Sequence, residues 1–346
     1  MAAEPLPALV LVIDPEIGDR ERAEILAAAE RARPGALVTE GDGWAAVALG
    51  DGPRIHQAES FSRLPGVLRV VPVSKPFRLA ALEVLGHRKT VRLELGSRVS
   101  PSGHREVGNV ERLTVMVECS PPERISSLVH EVRDAGADLL FAGEFGQSIG
   151  GSARTEQPDI GALRSLAEEM NLGLCVEVSD ASHIEQASRL ASLLQVGGRN
   201  MQDFRLLRAI GQATCPVLLK RGPGATVEEF ILAAEYALIH GNGRVILCES
   251  GIRTFDSVWK PRLEINAIPL LWRATHLPVF ADTSATPDGA LVPSVARAAV
   301  AAGADGLVLK VRAGEIRDGD ADIDLSTFAR LMQELRAVAA AAGRNP

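Results

Sequence analysis

From residue 113 onward the chain repeats one pattern: an apolar, often β-branched run of four to six residues, then a longer stretch with helical periodicity. The runs are Thr114–Val117, Asp138–Phe141, Gly173–Val176, Leu193–Val196, Pro216–Leu219, Arg244–Cys248, Pro278–Ala281 and Gly306–Leu309. Continuously apolar runs, as opposed to alternating ones, belong to parallel strands covered on both faces. Eight of them alternating with helices over about 230 residues predict a (β/α)8 TIM barrel of the α/β class. The rival, an open doubly wound sheet, would carry a Gly-rich phosphate loop after its first strand, and none is there. One helix is especially well marked, over Val227–His240: Thr226 as N-cap and Glu229 at the third helical position make a capping box, and Gly241 ends it.

The first 75 or so residues read differently. Leu9–Ile13, Arg20–Arg31, Ala36–Thr39, Ala45–Leu49, Ala58–Leu64 and Leu68–Val73 run in the order β-α-β-β-α-β, with Gly41-Asp42-Gly43 as the central hairpin turn. That is the split βαβ order of a small α+β ferredoxin-like domain. The expected division is therefore 1–75 for a ferredoxin-like regulatory or oligomerisation domain, 76–112 for a connector, and 113–346 for the barrel with the active site. Within the connector, the alternating run Thr90–Leu95 suits a small hairpin.

Composition narrows the partners. Hydrophobic residues are 46% and charged ones 23%, ordinary globular usage. The formal charge is −7 and no Lys/Arg cluster is dense enough to follow a phosphate backbone, which argues against nucleic acid. The longest apolar runs, such as Ala8–Ile13, fall short of the roughly 20 residues of a membrane span, and the start lacks a basic n-region, so a cytoplasmic protein with no membrane partner is expected. Cys119, Cys175, Cys215 and Cys248 show no CxxC spacing, which speaks against a disulfide framework or a zinc knuckle.

In a barrel the chemistry sits at the C-terminal ends of the strands. Here those ends are Glu118-Cys119, Gly143-Glu144, Glu177, Gly198-Arg199-Asn200, Lys220-Arg221, Glu249, Asp282 and Lys310. A charge aimed into a barrel mouth is costly unless it is paired or bound to ligand, so these positions taken together predict a site for a small anionic metabolite. Arg199, Lys220 and Arg221 suit a phosphate or carboxylate, the arginines by bidentate contact and the lysine as a point charge.

At these residues the chain resembles the DAHP synthase family, in the form with an N-terminal ferredoxin-like regulatory domain. The resemblance rests on Val196-Gly-Gly-Arg-Asn-Met-Gln-Asp-Phe-Arg-Leu-Leu207, Pro216-Val-Leu-Leu-Lys-Arg-Gly222, Ile246-Leu-Cys-Glu-Ser-Gly-Ile-Arg-Thr-Phe255 and His276-Leu-Pro-Val-Phe-Ala-Asp282. It implies condensation of phosphoenolpyruvate with erythrose 4-phosphate in aromatic biosynthesis, using a divalent, manganese-type metal. By position it implies Arg199 on the phosphate, Lys220 on the carboxylate side, Glu177 orienting the site, and Cys119 and Asp318 as metal ligands. It further implies a homo-oligomer and an aromatic effector at the N-terminal domain.

Several family positions differ. Gly-Pro-Cys-Ser is Val117-Glu118-Cys119-Ser120 here, and the cationic loop after the second strand is replaced by Phe145-Gly-Gln-Ser-Ile-Gly-Gly151. A phosphate arginine is Ser250, the histidine ligand is Ala285, and the glutamate ligand falls at Lys310. An ammonium repels a metal, so Lys310 is expected to fill the metal's place and pair with Asp318, Asp282 or Glu118, and no cofactor is expected. The main expectation is aldol-type carbon–carbon chemistry on an anionic enol or 2-oxo acid, metal-independent. Lys220, Lys310, Glu177 and Glu249 are its catalytic candidates, and Arg199, Asn200, Lys220, Arg221 and Asp282 its substrate-binding ones. A lysine among cations has a lowered pKa, which opens an imine route through Lys220 or Lys310. Cys119 is a relic ligand, a buried small hydrophobe, or a nucleophile activated by nearby cations. Two alternatives stand beside this reading: ordinary DAHP synthesis with a metal, and a non-catalytic regulatory homologue.

Overall fold

The structure, a computed structural model, describes residues 8–32, 34–49, 57–96, 103–120, 124–146, 159–255, 261–316 and 319–345. Strands β1 (Ala8–Ile13), β2 (Leu37–Gly41), β3 (Trp44–Ala48) and β4 (Val67–Val73) form an antiparallel sheet in the order β2-β3-β1-β4. This is the ferredoxin-like arrangement that the β-α-β-β-α-β order predicts. Alternation along its strands splits the apolar side chains between two faces. Leu9, Leu11, Ile13, Ala45 and Val47 pack on the sheet's own helices through Ile25, Ala29 and Phe61. Val10, Val12, Trp44, Ala46 and Val71 belong to the same buried cluster as the barrel helices.

Strands β5 (Val91–Glu94) and β6 (His104–Val107) make the antiparallel hairpin anticipated from Thr90–Leu95. Eight parallel strands follow: β7 (Thr114–Ser120), β8 (Leu139–Glu144), β9 (Gly173–Glu177), β10 (Leu193–Val196), β11 (Val217–Lys220), β12 (Val245–Glu249), β13 (Val279–Asp282) and β14 (Gly306–Arg312). They pair in chain order, and β14 closes on β7, giving the barrel. The one strand absent from the sequence pattern is β15 (Asp322–Asp324), three residues added parallel to the upper end of β14. Met116, Leu139, Cys175, Leu218, Cys248, Phe280 and Val308 fill the barrel interior, and Val91, Leu93 and Val107 join them, so the hairpin plugs the floor. The capping box of Thr226 and Glu229 forms, and the helix runs Val227–Leu238.

The small sheet and connector are tied to the barrel by polar contacts made at depth. Glu235, on a barrel helix, accepts from the backbone N–H groups of Arg78, Leu79 and Ala80 at 3.0, 2.9 and 2.8 Å. His276, wholly buried, donates Nε2–H to the Leu79 carbonyl at 2.8 Å and packs edge-on against Trp44, ring centres 4.9 Å apart. Burial pushes the His276 pKa down from 6.5 to about 4. The folded pKa lies below the unfolded one, so this residue's stabilisation is complete above pH 6.5 and is lost as the pH falls toward 4. Between pH 7 and pH 5 the wild type should lose about 2 kcal/mol more unfolding free energy than His276→Gln, which keeps a donor without a titrating ring. Urea melts of both at the two pH values measure this, and equal losses would contradict it.

Candidate active site

A charged residue stands at or just past the C-terminal end of each barrel strand, and these charges fall into three groups. On β7, Met116 lies in the barrel interior, and Val115, Val117 and Cys119 belong to the cluster between sheet and helices. Glu118 therefore shares the inward face with Met116, and Cys119 faces out. By the same parity Lys220 follows Leu218 inward, Asp282 follows Phe280 and Lys310 follows Val308.

These four inward residues form the first group. Lys220 Nζ lies 2.7 Å from Asp282 Oδ2, and Lys310 Nζ lies 3.0 Å from Glu118 Oε1, its register partner across β14 and β7. Asp282 Oδ1 also accepts from the Ser284 backbone N–H at 2.9 Å, which fixes the carboxylate plane. Two ammonium groups and two carboxylates lie together, Lys220 and Asp282 deeper and Lys310 and Glu118 about a third exposed. Burial would lower the Lys220 pKa, but Asp282, aided by Cys248 and Glu118, holds it above the ordinary lysine value. Burial would raise Asp282, but Lys220 and Ser284 hold it below the usual carboxylate range. Lys310 is likewise held up by Glu118 against burial, and burial pushes Glu118 up against the pull of Lys310. The expectation of a lysine with lowered pKa, ready for imine formation, is thus corrected: each lysine faces a carboxylate before it faces another cation, and stays protonated at neutral pH.

The second group stands beside the first. Arg199, on the loop after β10, is 62% exposed; its Nη2 lies 2.6 Å from Glu144 Oε2 and 3.6 Å from Glu177 Oε1. Gln195, buried on β10, donates Nε2–H to Glu177 Oε2 at 2.6 Å. Glu177 also comes close to Gly197, where a Cβ would stand 2.6 Å from its Oε1. Asn200 lies on the same short turn with its Nδ2 buried and without a partner among the described residues. Arg199 is thus held by two carboxylates with its guanidinium largely exposed, whereas the Asn200 amide nitrogen is buried.

The third group does not converge on the mouth. Arg221 and Glu249 follow Lys220 and Cys248 and so point outward, where Nη1 and Oε2 pair at 2.8 Å with both side chains buried. Arg221 Nε–H donates to the Ala225 carbonyl, and Glu249 Oε1 accepts from the Gly251 backbone N–H. This pair pins the loops after β11 and β12, and the placement of Arg221 among substrate cations and of Glu249 among catalytic groups is corrected accordingly.

The candidate metal ligands separate too. Cys119 is buried among apolar side chains on the outward face, and burial, with Glu118 adding to it, pushes its thiol up to about 12, so an activated nucleophile does not fit. Ala285 has no donor, Lys310 offers only N–H groups, and Asp318 lies outside the described residues, as do residues 147–158 after β8. Among the described residues no three His, Cys, Asp or Glu side chains gather as ligands, and the donor set does not suit a divalent cation. Sequence reasoning missed Gln195 and the clamp on Arg312, whose Nε and Nη2 lie 2.6 Å and 3.3 Å from Asp322 and Asp320. The polar Gln195 inside an otherwise apolar run was the available signal for the former.

A separate cavity lies away from these groups. A cavity of about 960 Å³ opens near the starts of β10–β12, lined by Asp42, Arg92, Glu94, Arg189 and Arg244 among others. It lies at the opposite end of the barrel from the inward lysines.

The model of the DAHP synthetase I family matches residues 154–340. A phospho-2-dehydro-3-deoxyheptonate aldolase of Thermotoga maritima is 29% identical over 349 residues, which cover 97% of this chain and 99% of that protein. A 2-dehydro-3-deoxyphosphooctonate aldolase of Syntrophotalea carbinolica is 26% identical over 188 residues, covering 51% of this chain and 68% of its own length. A crystal structure of a Thermotoga maritima DAHP synthase aligns with TM-score 0.70 and 28% identity, over 98% of this chain and 99% of that one. A truncated form from Thermotoga maritima aligns with TM-score 0.66 and 30% identity, over 78% and 98%.

Proposed function

Since this chain belongs to the DAHP synthetase I family and is an aldol-type enzyme of that superfamily, we propose that its barrel mouth joins an anionic enol or 2-oxo acid to an aldehyde. The observation that carries this reading is Lys220, an inward ammonium fixed at 2.7 Å by Asp282 where the strands open. The donor's carboxylate or phosphate meets Arg199, which Glu144 and Glu177 orient and which still has its open side toward solvent. With an enol phosphate donor, the C=C electron pair forms the new C–C bond to the aldehyde carbon and the aldehyde C=O pair moves to its oxygen; water adds at C2 and phosphate then leaves. With a 2-oxo acid, a carboxylate of the mouth such as Glu177 first takes the C3 proton to give the enolate that attacks. Lys220 donates a hydrogen bond or its proton to the aldehyde oxygen, and Asp282 stabilises the ammonium throughout. Such preorganised charge acts where the oxyanion develops and does not have to reorient during the reaction. No imine is needed, in keeping with a lysine whose proton is held tightly.

A second reading, DAHP synthesis itself from phosphoenolpyruvate and erythrose 4-phosphate, is favoured by the near full-length similarity to the Thermotoga maritima protein. Against it stand Ser250, where the resemblance has a phosphate arginine, and the altered segment from Phe145, where it has a loop that supplies cations to both substrates. Charged hydrogen bonds contribute about 1.5–3 kcal/mol each, so losing two or more weakens a dianion strongly. The test is mass spectrometry of products from phosphoenolpyruvate or pyruvate with erythrose 4-phosphate and unphosphorylated aldoses, with manganese and with chelator. Condensation product in chelator is expected. Product from phosphoenolpyruvate and erythrose 4-phosphate only with manganese would establish the second reading, and no product from any pair would contradict both.

A further inference from the structure

The family resemblance implies a divalent cation at the mouth, and the side chains there do not suit one. What stands in its place is specific. Lys310 reaches from β14 to Glu118 on β7 at 3.0 Å, the two residues being register partners, so both ends of the pair are fixed by strand backbone. Both side chains are only 31% exposed, and Lys310 is also within electrostatic reach of Asp282 and Asp322. Within this cluster the ammonium groups of Lys310 and Lys220 are matched by the carboxylates of Glu118 and Asp282. A divalent cation entering it would need several oxygen or nitrogen lone pairs at about 2.0–2.6 Å, and would meet two ammonium groups that have none to give.

We propose that the Lys310 ammonium, held by Glu118, takes the position of a divalent cation and supplies a single fixed positive charge there, giving the barrel mouth a built-in monovalent cation for the substrate's developing negative oxygen. The inference rests on the proposal that the mouth is catalytic, but its test reads metal binding and not turnover. Lys310 is covalently fixed, so its charge cannot be removed by chelation and does not depend on metal supply.

The purified full chain, its Lys310→Glu variant and its Glu118→Gln variant are titrated with manganese, and binding is followed by water-proton relaxation. The wild type is expected to hold less than about 0.1 equivalent after desalting, and K310E, which replaces a repelling charge by a carboxylate, to bind manganese at least about tenfold more tightly. A wild type that retains about one equivalent, lost in E118Q, would overturn the proposal, as would a folded K310E with unchanged manganese affinity. If K310E does not fold, the wild-type titration decides by itself: tight manganese binding overturns the proposal and its absence upholds it. Finding no condensation product would remove the proposed reaction and leave this result standing, so the two failures can be told apart.

Discussion

Lys220→Met is expected to lower the turnover of condensation by about a hundredfold to ten-thousandfold, the usual range for losing a positioned proton donor, while the protein still folds. Methionine keeps most of the buried stem's volume and removes the charge. The partner Asp282 then sits in the mouth without its ammonium, only 4% exposed, and takes up a proton more readily. Turnover of K220M should therefore not recover at any pH between 6 and 9, whereas a lysine that only shaped the pocket would leave most of the rate intact. Steady-state kinetics of the two proteins, with thermal melts as a folding control, decide between these outcomes. A K220M rate within about threefold of wild type would contradict the role given to Lys220.

The second large effect concerns stability. Asp305 is fully buried beneath the barrel and accepts from Arg88 Nη2 at 2.5 Å, Arg344 Nη2 at 2.9 Å and the Val279 backbone N–H at 2.6 Å. These three partners come from the connector, the C-terminal end and β13, so one carboxylate closes the barrel floor. Asp305→Ala leaves two buried guanidinium groups without their counter-charge, and breaking such a network from one side costs about 3–5 kcal/mol. Denaturant unfolding should show that loss in D305A. A change below about 1 kcal/mol would mean that water or the neighbouring carbonyls already satisfy Arg88 and Arg344.

The barrel was legible in the sequence because eight apolar runs at helix-length spacing have few other solutions. The ferredoxin-like order was legible because helix and strand periodicities alternate cleanly between Leu9 and Val73. Strand parity was not. Parallel strands covered on both faces are apolar at every position, so nothing in Val217-Leu218-Leu219 says whether Lys220 or Arg221 turns inward. Nor does Glu118-Cys119 say which of the two faces inward at β7, a place that Glu118 holds. One residue of register decides which of Lys220 and Arg221, and which of Glu118 and Cys119, faces the mouth. The pairing of Lys310 was legible as a short set of partners, of which Glu118 is the one in contact and Asp282 the one that holds Lys220. The Arg312 clamp could not be read because β15 is three residues long and shows no period.

The central claim is that carbon–carbon bonds are made at the mouth held by Lys220 and Asp282. Carbon-13 NMR of phosphoenolpyruvate or pyruvate labelled at C3, incubated with the enzyme and aldehydes of graded length, follows the bond directly. The account predicts that with at least one aldehyde the labelled carbon becomes a chain methylene coupled to a new carbinol carbon in the wild type and not in K220M. A labelled carbon that stays unchanged with every acceptor, in a protein that binds the donor, would contradict it.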